Sequence, residues 1–339
     1  MDAIKIGKAI AYLRKRVGYT QKDLASRIGI SDKAVSKWER GLSLPDITYL
    51  RKLAILLNTN TDSLLAGEFA SHHTEWKGVL IFEDNINGIS ADTIIYDKPL
   101  VYFLLGYYLL VGIRDITIIC SKQEAQKINR IVNNGIDLGI QLTYLNTEES
   151  ITSCYANDEK VMFVYGNCLL YGVDQTRFFL KAMSEMDGLT VMALPKKHAT
   201  LPSIKLDMAK RVLPVNCDTS IRTVYDYCNI PIGFAIGNVF NGFLNSESSE
   251  SFLSNKIDEG NLKVELLDRG FVEINLADWD DVYEASSFFR IVQNQCGMKV
   301  YCLEEIAWRR GMISTEQLRA LADKQKDAEY NKYILSLCN

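Results

Sequence analysis

Lys33, Ser36, Lys37 and Arg40 recur at intervals of three and four residues, the spacing that lines side chains along one face of a helix. Ammonium, hydroxyl and guanidinium groups arrayed this way can hydrogen-bond and neutralise a polyanion. Residues 1–66 carry 12 Lys and Arg against 6 Asp and Glu, whereas the remaining 273 carry 26 against 36, in a chain of net charge −4. A basic head on an acidic body implies a polyanion partner for the head and discourages nucleic acid from touching the body. A second stretch is acidic and poor in cations. "FEDNINGISADTIIYDKP" (residues 82–99) offers Glu83, Asp84 and Asp92 with one glycine, Gly88, and no Lys or Arg between Lys77 and Lys98. The eight cysteines (Cys120, Cys154, Cys168, Cys217, Cys228, Cys296, Cys302 and Cys338) form no C-x-x-C pair and have no His at metal spacing. They are expected as free buried thiols. His72 and His73 are adjacent, which is not the spacing of a metal pair, and no metal or cofactor is expected.

The elements that must position the basic residues are legible. In "YTQKDLASRIGISDKAVSKWERGLSLPDITYLRKLAILLN" (residues 19–58), Thr20 can N-cap a helix from Gln21 to Ile28, Gly29 allows a tight turn, and Ser31 can cap a second helix from Asp32 to Arg40. Leu24, Ala25, Ile28, Ile30, Val35 and Trp38 form the expected inner face, Ala25 being small enough for the helices to cross closely. Lys33, Ser36, Lys37 and Arg40 then point outward. Residues 67–75, "GEFASHHTE", are polar and aperiodic and read as a linker, which divides the chain into a head (1–66) and a body (76–339).

In the body, "GVLIF" (78–82), "ITIIC" (116–120), "QLTYL" (141–145) and "VMFVYG" (161–166) are short apolar strands with helical stretches between them. They imply βαβ units, hence an α/β fold with a mainly parallel sheet covered on both faces. The most apolar stretch, "KPLVYFLLGYYLLVGIRD" (98–115), has an uninterrupted apolar run only from Leu100 to Ile113, short of the roughly 20 residues that cross about 30 Å of hydrocarbon. It reads as a buried helix opened by Pro99 and closed by Gly112. Met1 to Arg16 reads as an amphipathic basic helix without a cleavable apolar core, so a cytoplasmic location and no membrane partner are expected.

"TQKDLASRIGIS", "VSKWERG", a following Pro and a fourth helix stand in the order and spacing of the lambda-repressor and Cro-like helix-turn-helix family, which the head resembles over about residues 4–66. The resemblance implies double-stranded DNA as partner, with the second helix of the pair in the major groove. It makes Asp32, Lys33, Ser36 and Lys37 the candidates for base contact and gives phosphates to Gln21 and Arg40. It also implies a dimer on a two-fold operator with half-sites about 34 Å apart.

"YDKPLVYFLLGYYLLVGIRDITII" (96–119), "GNLKVELLDRGFVEI" (260–274), "YEASSFFRIVQNQCGMKVYCLEEIAWRRGMISTEQLRALA" (283–322) and "YNKYILSL" (330–337) resemble the sugar-nucleotide pyrophosphorylases, and within them the glucose-1-phosphate thymidylyltransferases. The resemblance runs from about residue 76 to 339, weakly over 185–260, and implies a Rossmann-like, mixed, mainly parallel sheet of the nucleotidyltransferase type. It also exposes departures. The family's Gly-rich phosphate loop and catalytic Lys are replaced by the acidic segment 82–99. The first metal-binding aspartate, in a strand-end L-G-D-N, becomes Asn167 of "VYGNC", and the second, in W-L-D-T-G, becomes Asn275 of "EINLADW". A neutral amide holds Mg²⁺ poorly. The sugar-contacting Glu-Lys-Pro is not visible, and "NTEESITSCY" (146–155) stands where a G-x-A-x-A segment is expected.

The family's second, regulatory nucleotide site is partly kept in "CLEEIAWR" (302–309) and "YG" (171–172), which makes Tyr171, Gly172, Glu305, Ile306 and Arg309 candidates for an effector. The expectation is a transcription regulator whose catalytically inactive nucleotidyltransferase-like body forms a homodimer or homotetramer and senses a nucleotide or nucleotide-sugar. An active thymidylyltransferase with an appended DNA-binding head, and a body that only oligomerises, are the alternatives.

Overall fold

A computed structural model describes residues 2–16, 19–57, 61–66, 75–82, 87–147, 155–195, 203–207, 212–214, 225–246, 248–324 and 327–338. The expected linker is outside the described residues except for Glu75, as are Glu83, Asp84, His72, His73, Cys154 and Cys217. The chain divides into two compact units, Met1–His72 together with Ala307–Asn339, and His73–Ile306.

In the first unit the head consists of α1 (Ala3–Arg16), α2 (Gln21–Ile28), α3 (Asp32–Glu39), α4 (Ile47–Leu56) and α5 (Thr61–Ala66). The local signals act as expected. Thr20 accepts from the Asp23 N–H while the Asp23 carboxylate accepts from the Thr20 N–H, a capping box that satisfies two orphan donors at once. Gly29 is left-handed (φ 90°) and returns its N–H to the Ala25 carbonyl, and Ser31 caps α3. Leu24, Ala25, Ile28, Val35 and Trp38 are buried and Ile30 is half-buried against them. A close approach of α1 to the end of α3 occurs at Gly7, where a Cβ would lie 2.1 Å from the Trp38 carbonyl oxygen.

The second unit is built on a sheet of order β11-β8-β10-β6-β1-β4-β5, with β9 beside β10. In chain order its elements are β1 (Trp76–Ile81), β2 (Ile94–Ile95), β3 (Lys98–Pro99), α6 (Leu100–Val111), β4 (Asp115–Cys120), α7 (Lys122–Val132), β5 (Gln141–Asn146), β6 (Lys160–Tyr165) and β7 (Cys168–Tyr171). There follow α8 (Gln175–Glu185), β8 (Leu189–Pro195), β9 (Ser203–Leu206), β10 (Tyr225–Ile236), α9 (Gly237–Leu244), α10 (Ser249–Asp258), β11 (Lys263–Leu266), β12 (Val272–Asn275), α11 (Trp279–Cys296) and α12 (Leu303–Arg309), which runs on into the first unit. β1 pairs in parallel with β4 and β6, and β4 with β5, so all four strands read from sequence are adjacent and in the expected sense. β10 runs antiparallel to β6 and β8 and makes the sheet mixed.

The apolar stretch becomes α6, packed under β1. Gly78 leaves room for the Tyr108 ring, whose hydroxyl donates to the Val79 carbonyl (2.5 Å). Pro99 is its N-cap and Gly112, left-handed at φ 85°, its C-cap. Among the described residues no helix is long and apolar enough to cross a membrane. The other face of the sheet is covered by Phe240 and Phe243 of α9 and Phe252 of α10, in one apolar cluster with Val79, Val161 and Phe163. The thiols need one correction. Cys120, Cys168 and Cys302 are free and buried, but Cys296 is exposed and Cys338 half-exposed, because both fall at the C-terminal ends of helices. After α12, α13 (Thr315–Lys324) and α14 (Ala328–Leu337) form a helical pair, tied by the Asn331 amide donating to the Ala322 carbonyl (2.7 Å).

Candidate functional site

On the head, α3 presents Asp32, Lys33 and Lys37 fully to solvent and Ser36 partly. The Lys33 and Lys37 ammonium groups have no ion-pair partner among the described residues. Arg40 is exposed at the C-cap and its Nε donates back to the Ser36 carbonyl (3.2 Å). Gln21 is placed differently from a free phosphate donor. Its amide nitrogen donates to Glu39 Oε2 (2.7 Å) within a network that sequence reading missed. Arg14 of α1, only 8% exposed, donates through Nε and Nη2 to both oxygens of Glu39 and through Nη1 to the Tyr19 carbonyl (2.7 Å). One carboxylate thus ties α1, the start of α2 and the end of α3 together, fixing the angle at which α3 is presented. The signal was Arg14 inside the apolar spacing Ile6, Ile10, Leu13: a cation on a buried face needs a buried anion.

The Asp23 carboxyl is held below its ordinary value by the hydrogen bonds from the Thr20 hydroxyl and N–H, with a smaller contribution from Arg27.

In the body, the two amide positions do come together. β6 ends at Tyr165, Gly166 donates to the Ile81 carbonyl (2.9 Å), and Asn167 follows. β12 pairs antiparallel with β7 so that Asn275 lies opposite Cys168, and the Leu276 N–H donates to the Asn167 carbonyl (2.7 Å). Asn167 lines a small cleft with Ile81, Phe82, Ile89, Tyr165, Gly166 and Leu276. Phe82 stands at the point where the chain leaves β1, and its ring lies on Gly166, where a Cβ would come within 2.3 Å of it. Among the described residues the lining has one amide and one phenol beside apolar groups, with no cation and no carboxylate. Two neutral amides do not supply the anionic oxygens a divalent ion requires, and no group of three His, Cys, Asp or Glu fit to hold a metal occurs among the described residues. Of Glu83, Asp84 and Asp92, Asp92 is the one described; it faces Lys127 (3.8 Å) and accepts from the Ser90 hydroxyl.

The "YDKP" turn is a structural fastening. The Tyr96 N–H donates to Ser286 Oγ of α11 (3.1 Å), while Asp97 bridges Lys98 (2.5 Å) and Lys299 (3.0 Å). Burial pushes the Lys98 ammonium down, with Asp97 opposing it.

At the effector positions, the Tyr171 ring packs edge-on against Phe288 (5.7 Å) and Phe289 (6.0 Å), and burial raises its phenol pKa. Gly172 is required by space, since a Cβ would lie 2.3 Å from the Phe271 ring. Leu170, next to Tyr171, is joined to the approach of α12: its carbonyl accepts from the Tyr301 hydroxyl (2.5 Å) and its N–H donates to the Tyr107 hydroxyl (2.7 Å). Glu305 is buried on α12, Ile306 is half-buried, and Arg309, one turn on, is half-buried with its guanidinium 6.0 Å from the Trp308 ring. Glu304, which sequence reading passed over, is the most buried acid of the helix and accepts from the Tyr102 hydroxyl (3.1 Å).

A capped helix-turn-helix with an exposed basic second helix defines a DNA-binding class of domain, and residues 10–64 match the helix-turn-helix family. The remainder is similar to glucose-1-phosphate thymidylyltransferases. That of Neisseria meningitidis serogroup A is 28% identical over 268 residues, 74% of this chain and 92% of the relative. That of Mycobacterium tuberculosis H37Rv is 26% identical over 270 residues, again 74% and 92%. Superposition on the inositol-1-phosphate CTP transferase of T. maritima gives a TM-score of 0.48 at 14% identity, covering 62% of this chain and 94% of that one. The chain thus carries a lambda-repressor-like helix-turn-helix domain followed by a glucose-1-phosphate thymidylyltransferase-like domain.

Proposed function

We propose that this chain is a DNA-binding transcription regulator whose thymidylyltransferase-like domain has lost nucleotidyl transfer, assembles copies of the chain and senses a nucleotide or nucleotide-sugar. The observation that carries it is the α3 face, with Lys33 and Lys37 exposed, beside a network at Glu39 that fixes its orientation. Loss of transfer is supported by Asn167 and Asn275 at the two metal positions and by the apolar lining under Phe82. The charge developed in phosphoryl displacement needs cations and a metal to stabilise it, and among the described residues neither the lining nor the amides offer one. The mechanism is linkage: a ligand that binds one assembly geometry better changes DNA affinity by its differential binding energy and no more.

The test is fluorescence anisotropy of the full chain on its own upstream DNA at fixed salt, with and without dTDP-glucose or dTTP, beside an assay for pyrophosphate-dependent cleavage of dTDP-glucose. DNA binding shifted by a ligand, without cleavage, is the expected result. Cleavage at rates typical of an enzyme would make the body an active transferase, and tight DNA binding that ignores both ligands would leave it an assembling scaffold.

A further inference from the structure

α3 carries two rows of polar groups side by side. Lys33, Lys37 and Arg40 follow one another at four and three residues, and Asp32 and Ser36 at four. At about 1.5 Å of rise per residue, Lys33 and Lys37 stand about 6 Å apart along the axis, close to two of the roughly 3.4 Å steps of duplex DNA. Asp32 and Lys33 occupy the first turn, the end of a recognition helix that meets base edges. Asp32, Lys33 and Lys37 are exposed. One oxygen of Asp32, Oδ1, accepts from the Lys33 N–H (2.8 Å), and the other has no partner among the described residues.

What this face lacks is as informative. Residues 1–57 contain a single Asn or Gln, Gln21, and its amide nitrogen is engaged by Glu39 Oε2 (2.7 Å). Of the apolar side chains of α3, Val35 and Trp38 are buried and Ala34 is half-buried, so one methyl group is all that the helix offers a thymine.

Base edges in the major groove discriminate among these groups. Guanine shows two adjacent acceptors, N7 and O6, to an ammonium. Adenine sets its N6 amine beside N7, and thymine its methyl beside O4, so an ammonium there meets a donor or an apolar group as well. Cytosine offers a carboxylate its N4 amine, whereas the N6 amine of adenine stands beside N7, an acceptor that repels a carboxylate. Bidentate reading of adenine needs an amide, and among its described residues the head has none free.

We propose that α3 selects G·C pairs, with Lys33 and Lys37 donating to guanine O6 and N7 and Asp32 accepting from cytosine N4. Ser36, whose hydroxyl both donates and accepts, adds no preference between pairs. The inference rests on the DNA-binding reading above and names the base class of the operator; A·T pairs under α3 are left undiscriminated by hydrogen bonding.

The experiment is selection by the full chain from a pool of random duplexes at fixed salt, with sequencing of the retained DNA and circular dichroism to confirm that each variant is folded. The expected half-site has guanine constrained at two positions and cytosine at a third. Exchanging one of these pairs for A·T is expected to weaken binding about 5- to 150-fold. Lys37→Gln sets an amide where the ammonium stood and is expected to change one guanine to adenine while the other two positions stay as they were. Lys33→Gln is expected to do the same at the other guanine, and Asp32→Asn to replace the preference for cytosine by one for adenine. A parent motif whose most constrained positions are A·T overturns the inference and leaves DNA binding standing. So does a G·C motif that survives all three variants unchanged, and so does retention of DNA without any enriched motif. A parent chain that retains no duplex overturns the DNA-binding reading as well.

Discussion

Replacing Glu39 by Ala removes the acceptor of three hydrogen bonds in the head and strands a guanidinium. The Arg14 side chain is 9% exposed and keeps only the Tyr19 carbonyl of the partners described for it. Breaking a buried ion pair by deleting one member costs about 3–5 kcal/mol, because the other charge stays buried and unpaired. The stability of a domain of this size is roughly 3–10 kcal/mol, so the Glu39→Ala head is expected to be marginal or unfolded at 25 °C. The assay is native-state hydrogen exchange of α1–α3 amides in the full chain, which reads the head without requiring the two units to unfold together. Protection in the head should fall by a factor of about 10² to 10⁴, while β1, β4 and β6 keep theirs. Arg14→Met with Glu39→Leu separates causes: with both charges gone and the volume filled, most of the stability should return. A loss under about 1 kcal/mol in Glu39→Ala, or a double variant as unstable as the single, would refute the view that this carboxylate sets the angle of α3.

Three further outcomes are expected. Lys33→Ala and Lys37→Ala should each cost about 1–3 kcal/mol on the preferred operator and little on unrelated DNA, as base contacts do; equal losses on both, with a salt slope flatter by about one unit, would make them phosphate contacts. Asn167→Asp with Asn275→Asp should introduce stabilisation by millimolar Mg²⁺ that the parent lacks, read as a thermal shift; a parent already stabilised by Mg²⁺ would contradict the fit of the two amides. The folded Asp23 carboxyl lies below its ordinary value because of Thr20, so its contribution to α2 is complete above about pH 4 and lost as the pH falls through the lower folded value; Asp23→Asn should abolish this part of the acid loss of α2 protection.

What could be read from the chain depended on whether a signal was local. Thr20, Gly29 and Ser31 act within four residues of themselves, and the helix pair they delimit was legible to within a residue. Short apolar runs likewise gave β1, β4, β5 and β6, and the helical stretches between them gave their parallel sense. β10 was not legible, because its antiparallel pairing with β6 and β8 joins segments far apart through a region that departs from the family. The Arg14–Glu39–Gln21 network was missed for the same reason: its members are up to 25 residues apart, and although Arg14 falls on a buried face, nothing local names Glu39 or Gln21 as its partners. Gly7 carries no sign in sequence that the Trp38 carbonyl will lie against it. Asn167 and Asn275 were named by motif, but only the β7–β12 pairing shows them at one place.

The distribution of retained and altered residues in the body follows a physical division. Residues that fasten the fold are kept in working contact: the "YDKP" turn on Ser286 and Lys299, Gly172 under Phe271, and Tyr301 between Leu170 and α12. Under the proposed function, those that phosphate chemistry requires have been exchanged for groups that lower the cost of an empty cleft. An unfilled site of cations and carboxylates is held against its own repulsion, and relieving it stabilises the fold once substrate is no longer bound. Phe82 over Gly166, with Ile81, Ile89 and Leu276 around it, buries apolar area where charge would otherwise be desolvated. Under the proposed function this is the expected direction of change. Under that proposal a cleft whose described lining is apolar disfavours a triphosphate by desolvation, and a nucleotide effector is expected instead around Tyr171 and α12.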